Sequence, residues 1–422
     1  MLHDRLAQEL YSEICRIPLI DCHTHINPRQ PAARSLDDIL GYHYYTELAH
    51  SAGMEQDLLA PGVDPRERVR AILYHMSRFD NTVQYMWFME IVRAFLNFQG
   101  QRVTIADSGW LCDVADRLMA APDWDARVLR LSNLEKVFLT NDFDDPLEGF
   151  DSVRYVPCLR TDDLVFRLSE PAIVRRLAAL SGLEPADMTN LRRGVAAVFE
   201  HFVRHGARAC AVSLPPDFAP KPVSDAEWSR AWKQASSSPE DRRTLSHGVF
   251  WALAEACRDH HLPFDLMIGV NRHVYENGVF HGQDLFDQRT SLIQFARLFN
   301  AFPTVTFCVS VLSSGQNQEL VSYSWIFPNV VTSGHWWYAN IPAYIEQDAR
   351  ARLQAVPKTK QIGYYSDMYK LEFGLPKFNM YRRILAQILT DHFIRPRLYS
   401  EAQALELARL LLRDNPKRIF NV

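Results

Sequence analysis

Short apolar runs recur along the chain and alternate with stretches of helical periodicity. Eight of them read as strands: Leu19–Asp21, Lys136–Thr140, Tyr155–Leu159, Ala209–Leu214, Phe264–Val270, Thr304–Leu312, Val330–Ser333 and Ile362–Tyr365. Most are apolar on both faces. That is the pattern of a parallel sheet covered by helices, not of an antiparallel sheet with one wet face. Strands alternating with helices in this number predict an α/β fold, a single (β/α)8 TIM barrel domain over residues 1–422. Two gaps are too long for a plain crossover: 27–135 after the first strand and 161–208 after the third. Both read as helical insertions, with periodic apolar positions such as Leu36, Ile39, Leu40 and Leu48. Following strands, they fall on the catalytic rim, where they can roof a site.

Composition narrows the class. A chain of 422 residues, 47% hydrophobic and 23% charged, is expected to be soluble, with ample core. The net charge of −4 comes without a dense basic block, so neither nucleic acid nor an anionic membrane is an expected partner. No apolar run is long enough to span a bilayer. Met1–Glu13 carries His3, Asp4, Arg5 and Glu9 where a signal peptide would be apolar. Cys15, Cys22, Cys112, Cys158, Cys210, Cys257 and Cys308 are scattered, with no Cys-x-x-Cys. Reduced thiols and a cytoplasmic location are the expectation.

The segment Leu19-Ile20-Asp21-Cys22-His23-Thr24-His25-Ile26 ends an apolar run in two histidines one residue apart. Side chains at i and i+2 of a strand share a face. His23 and His25 therefore aim two imidazoles at one point. Imidazole is a common ligand of divalent transition metals, and two call for a third ligand. The plainer reading of a lone His-x-His is two polar residues leaving a strand. In a barrel the carboxyl ends of the strands form the active face. Polar residues follow the other runs there: Asn141 and Asp142, Arg160 with Asp162 and Asp163, Asn271 with Arg272 and His273, Ser313 and Ser314, His335 with Trp336 and Trp337, Ser366 and Asp367. His205 and His261 precede strands and belong to the opposite face. Asp367 is the candidate third ligand, because the last strand adjoins the first when a barrel closes. Its alternative role is a helix N-cap.

The carboxyl-terminal segment Asp414-Asn415-Pro416-Lys417-Arg418-Ile419-Phe420 looks like the closing Asn-x-x-Arg-x-Phe of the amidohydrolase superfamily of metal-dependent barrels. Further landmarks are Gly41-Tyr42-His43-Tyr44-Tyr45, Thr140-Asn141-Asp142-Phe143-Asp144-Asp145, Leu159-Arg160-Thr161-Asp162, Ala211-Val212-Ser213-Leu214-Pro215-Pro216, Gln318-Glu319-Leu320-Val321, Trp336-Trp337 and Ser366-Asp367. On these the chain resembles the uronate (glucuronate) isomerases, in a short bacterial form. The resemblance implies one divalent metal, Zn²⁺ being the expected ion, held by His23, His25 and Asp367. It implies substrate contacts at His43, Tyr44, Arg160, Trp336 and Trp337. Each has a plainer alternative. His43 and Tyr44 lie near an apolar stripe and could be core. A tryptophan pair is usually packing. Arg160 could simply pair with Asp162 or Asp163. One departure stands out: the family carries arginine two residues after the ligand aspartate, and this chain has Tyr369 followed by Lys370.

The implied reaction is metal-dependent aldose–ketose isomerisation of a hexuronate, of the D-glucuronate to D-fructuronate type. The protein is expected to take a small sugar acid and to form a homo-oligomer. Asp367, if it leaves the metal, is the candidate base; Tyr44 or His43 is the alternative proton carrier. Two other readings stay open. One is a zinc-dependent hydrolase on the same scaffold, which calls for more ligands after the fifth and sixth strands than His273, Ser313 and Ser314 supply. The other is a sugar-acid binding protein that has lost catalysis.

Overall fold

Every one of the eight apolar runs overlaps a strand in the structure, a computed structural model that describes residues 4–60, 62–236 and 238–422. The strands are β1 (Leu19–Asp21), β2 (Leu134–Phe138, resuming as Asn141–Asp142) and β3 (Tyr155–Val156 and Cys158–Arg160). They continue as β4 (Ala209–Leu214), β5 (Phe264–Ile268), β6 (Phe307–Val311), β7 (Val330–Ser333) and β8 (Gln361–Ile362). Each pairs in parallel with its neighbour in the chain, from β1–β2 through β7–β8. β3 is interrupted at Pro157, which has no N–H to give the ladder. The β2–β3 register is the same on both sides of that break.

This is an α/β fold built on a sequentially ordered parallel sheet, consistent with a (β/α)8 barrel. Among the described residues no regular ladder joins β8 to β1. Two main-chain hydrogen bonds tie the segments beyond them instead: His25 N–H to the Met368 carbonyl at 2.8 Å, and Asp367 N–H to the His23 carbonyl at 3.1 Å. β8 is shorter than the run Ile362–Tyr365 suggests, because the chain leaves the sheet after Ile362. Gly363 N–H bonds the Leu411 carbonyl at 3.0 Å, and Ser366 N–H bonds the Asp21 carboxylate at 2.9 Å.

The two long gaps are helical. Between β1 and β2 run helices Leu36–Leu40, His43–Ser51, Pro65–Met76, Val83–Leu96, Ser108–Met119 and Trp124–Ser132. Their starts carry ordinary caps: Ser35, Asp64 and Thr82 each accept a main-chain N–H of the first turn. Between β3 and β4 run Asp162–Phe166, Pro171–Ser181 and Met188–Arg204. Leu36, Ile39 and Leu40 are buried, as their spacing predicts. The first group packs with the helix Gly374–Leu389 into one apolar core, and the second packs with the helix Pro239–Asp259 into another. A third cluster, including Ile20, Phe138, Val156, Val331 and Ile362, contains Phe420 from the carboxyl-terminal helix Asn415–Phe420. The Phe420 and Phe138 ring centroids lie 4.7 Å apart. Asn415 donates to the carbonyls of Lys358 at 2.7 Å and Gln361 at 2.8 Å. The closing segment therefore seals the sheet's interior and fastens β8.

Candidate active site

β1 delivers His23 and His25 side by side, their ring centroids 5.3 Å apart and their planes at 89°. Asp367 meets them from beyond β8. Its Oδ1 lies 3.2 Å from His25 Nε2 and 3.6 Å from His23 Nε2, and one ligand atom from each of the three residues falls within 4.8 Å of the other two. Asp367 is not an N-cap: it adopts φ +53°, and the next helical turn, Leu371–Phe373, starts after Lys370.

Two neighbours fix which nitrogen each imidazole presents. The Thr140 hydroxyl donates to the Thr24 carbonyl at 3.0 Å, so towards His25 Nδ1, 2.9 Å away, it acts as acceptor. Nδ1 of His25 then carries the proton, and the Nε2 lone pair faces the cluster. His23 Nδ1 faces the buried Asp265 carboxylate on β5 at 3.5 Å, which leaves its Nε2 free in the same way. A carboxylate behind a ligand histidine orients it and raises its basicity. His23 Nε2 and Asp367 Oδ1 are buried and have no hydrogen-bond partner among the described residues. Leaving a buried acceptor unmatched costs about 1–3 kcal/mol each. Two imidazole nitrogens and a carboxylate aimed at one point, two of their atoms otherwise orphaned, fit a divalent cation with an open position.

Burial pulls the His25 imidazole down to about 4 in spite of Asp367 beside it. Burial opposes protonation of His23 too, but the bond to Asp265 and the charges of Asp367 and Asp265 outweigh it and raise the group. Burial alone would raise the Asp367 carboxyl; the His25 and His23 imidazoles and the Lys377 ammonium around it instead hold it at about 2.

The triad opens on a small cavity of about 130 Å³ lined by His25, His43, Arg160, Trp336, Trp337 and Asp367, with Tyr369, Arg272, His281 and Asp284 completing the wall. Arg160, from the end of β3, gives its Nε to Asp162 at 3.2 Å, and among the described residues nothing engages its two terminal nitrogens. His43 bonds Glu47 one helical turn on, Nδ1 to Oε1 at 2.7 Å. Trp337 stands edge-on to His43, centroids 5.9 Å apart. Tyr369 stacks on His25 at 4.7 Å. Tyr44 lies behind His43 at 4.3 Å; its hydroxyl is buried and unpartnered, and it does not line the cavity.

Other polar residues at the strand ends serve the scaffold. Ser313 caps the helix Ser314–Ile326, Asp163 pairs with Arg167 and Arg176, and Ser366 bonds Asp21. His273 is exposed, with its Nδ1 2.9 Å from Gln283, outside the metal cluster. His335 is buried away from the cavity, near Arg352. The sequence alone does not single out Asp265, Glu47, His281 or Asp284, and it gives Arg272 no role. The available signals were a lone carboxylate inside the apolar run of β5, and a glutamate four residues after His43.

The sequence model of glucuronate isomerases matches residues 1–420. A uronate isomerase of Xanthomonas oryzae pv. oryzae is 22% identical, over 99% of this chain and 95% of its own length. The crystal structure of uronate isomerase from Thermotoga maritima superposes with a TM-score of 0.90 at 18% identity, over 99% of this chain and 98% of that one. That of glucuronate isomerase from Caulobacter crescentus gives 0.90 at 18%, over 100% and 97%.

Proposed function

The chain belongs to the glucuronate isomerase family, and we propose that it interconverts an aldose and a ketose form of a hexuronate, D-glucuronate giving D-fructuronate. The observation that carries the proposal is a three-ligand cluster and a half-engaged arginine on one small cavity. The expected ion is Zn²⁺, held by His23, His25 and Asp367. Bound there, it supplies Lewis-acid stabilisation of the negative charge that develops on the sugar oxygens.

The chain's own residues do the rest. The reaction moves a proton between C2 and C1 through an enediol, so a base must reach carbon and an acid must serve oxygen. Arg160 offers its open fork to the C6 carboxylate, a two-bond contact that fixes which end of the sugar faces the triad. Trp336 and Trp337 wall the cavity and keep water from the enediol. A carboxylate stabilised by neighbouring positive charge is a weak base, so we assign Asp367 to holding the cation. His43 carries the proton, oriented by Glu47. Tyr44 packs behind it.

The hydrolase reading has less support: among the described residues the cluster has three members, and His273 is not one. We place the whole chain, 1–422, in one domain and in the cytoplasm. All seven cysteines are free thiols, and no helix among the described residues is long and apolar enough to cross a membrane. We also propose a homo-oligomer, supported by exposed apolar side chains such as Trp325 and Ile326.

Incubation with D-glucuronate in heavy water, followed by proton NMR, tests the function. The expected result is a ketose carrying deuterium at C1, with exchange at C2 of recovered aldose. Binding without exchange or ketose would favour a sugar-acid binding protein and refute the isomerase.

A further inference from the structure

Beneath the cavity floor lies a lysine closed off from solvent. Lys377, on the helix Gly374–Leu389, is fully buried. Its Nζ stands 5.0, 5.1 and 4.8 Å from the ring centroids of Tyr42, Tyr44 and Trp87. It donates to the Ser366 carbonyl at 2.7 Å and to the Tyr42 hydroxyl at 3.1 Å. That hydroxyl donates in turn to the Asp367 carbonyl at 2.8 Å. One ammonium therefore holds two successive carbonyls, the first directly and the second through Tyr42.

Burying an ammonium is costly, and among the described residues no carboxylate lies at ion-pair distance from Lys377; Asp367 and Asp21 attract it only from farther off, and burial still outweighs them. A methionine would fill the same volume against the same three rings without that cost. The charge therefore needs a reason other than packing. Asp367 supplies one. Its backbone sits at φ +53°, a region costly for a residue with a Cβ unless its surroundings hold it there. The bonds to the Ser366 and Asp367 carbonyls do this, at the one point where the chain must present a carboxylate to His23 and His25.

We propose that Lys377 is a positioning residue for the metal centre. Together with Tyr42 it locks the main chain of Ser366 and Asp367, so that the Asp367 carboxylate meets the two histidines. This rests on the metal site described above. Neither Lys377 nor Tyr42 lines the cavity around the triad, so both act through Asp367.

The test uses purified full-length protein and the variants Lys377→Met and Tyr42→Phe. Three quantities are read: Zn²⁺ affinity by competition with a chromophoric chelator, kcat and KM on D-glucuronate, and the melting temperature of the metal-free protein. Loss of a group that orients a ligand typically weakens metal binding about 10- to 100-fold. Both variants are expected to show that loss, with a lower kcat and KM within about twofold of the parent. A lower melting temperature with unchanged Zn²⁺ affinity would make Lys377 a packing residue and overturn the proposal. Should Lys377→Met not fold, Tyr42→Phe decides, since it removes one hydroxyl; unchanged affinity there overturns the proposal equally. If the parent binds Zn²⁺ but does not turn over glucuronate, the proposed reaction fails while the affinity comparison still judges this inference. A parent that binds no Zn²⁺ overturns it.

Discussion

Glu47→Gln isolates the role given to His43. The two side chains are mostly buried, 11% and 21% exposed, and meet at 2.7 Å. The substitution keeps the shape and an acceptor oxygen but removes the charge. A hydrogen bond involving an ionised partner contributes about 1.5–3 kcal/mol, and a neutral one about 0.5–1.5. The charge itself is then worth about 1–1.5 kcal/mol, roughly five- to tenfold in rate at 1.4 kcal/mol per decade. That energy is felt only while His43 holds an extra proton, so it should lower kcat and leave KM nearly unchanged. His43→Asn should cost far more, on the order of 10²- to 10⁴-fold, as expected for loss of a general acid–base. The decisive assay is the double-mutant cycle on D-glucuronate. Glu47→Gln should slow the parent, yet have no effect in a His43→Asn background, because its only route to the reaction runs through the imidazole. Additive effects would refute the reasoning, as would a His43→Asn variant with kcat near that of the parent.

Three further outcomes are expected. Asp265→Asn, which keeps the volume behind His23 but loses the carboxylate, should weaken Zn²⁺ binding about 10- to 100-fold in a chelator competition; unchanged affinity would mean that Asp265 does not orient the ligand. Tyr369→Arg should change kcat/KM on D-glucuronate by about tenfold or more, the worth of one charged hydrogen bond; unaltered turnover would show that position 369 does not reach the substrate. Glu372 is fully buried, and burial raises its carboxyl to about 6 from 4.5 although Ala33 N–H and the Trp124 indole donate to it. A raised folded-state pKa stabilises below about 4.5, and that contribution disappears as pH rises through about 6. The difference between 4.5 and about 6 is worth about 2 kcal/mol. Urea melts should therefore show the parent losing about that much more stability between pH 4.5 and 7.5 than Glu372→Gln does; parallel pH profiles would contradict the burial argument.

Strands were legible where burial was simplest. β4, β5, β6 and β7 are buried on both faces and mostly apolar, and their runs could be read directly. β2 and β3 were harder to bound, because Pro157 and the Leu139–Thr140 interruption break the pairing without breaking the apolar pattern. β8 was overread, since Tyr364 and Tyr365 are buried by helices and by the site rather than by a ladder. The triad was legible because His23 and His25 obey a local spacing and Asp367 follows the last apolar run of the chain. His43 lay in a landmark motif. What stayed hidden depends on distant chain segments meeting. Asp265 reads as a stray charge in a strand until His23 is placed opposite it. Arg272, His281 and Asp284 come from a loop after β5 that has no periodicity and folds back on itself through the pair Val270–Asn271 and Leu285–Phe286. Lys377 reads as an ordinary helical lysine until the chain brings Tyr42 to it from 335 residues away.

Metal-dependent turnover is the most direct test of the account. Purified protein is stripped with a chelator, then refilled with Zn²⁺, while ketose formation from D-glucuronate is followed and bound metal is measured on the same samples. The account expects turnover to vanish on stripping, to return in proportion to Zn²⁺ up to one ion per chain, and never to return in His23→Ala/His25→Ala. Full turnover by metal-free protein, or equal metal content in that double variant, would contradict it.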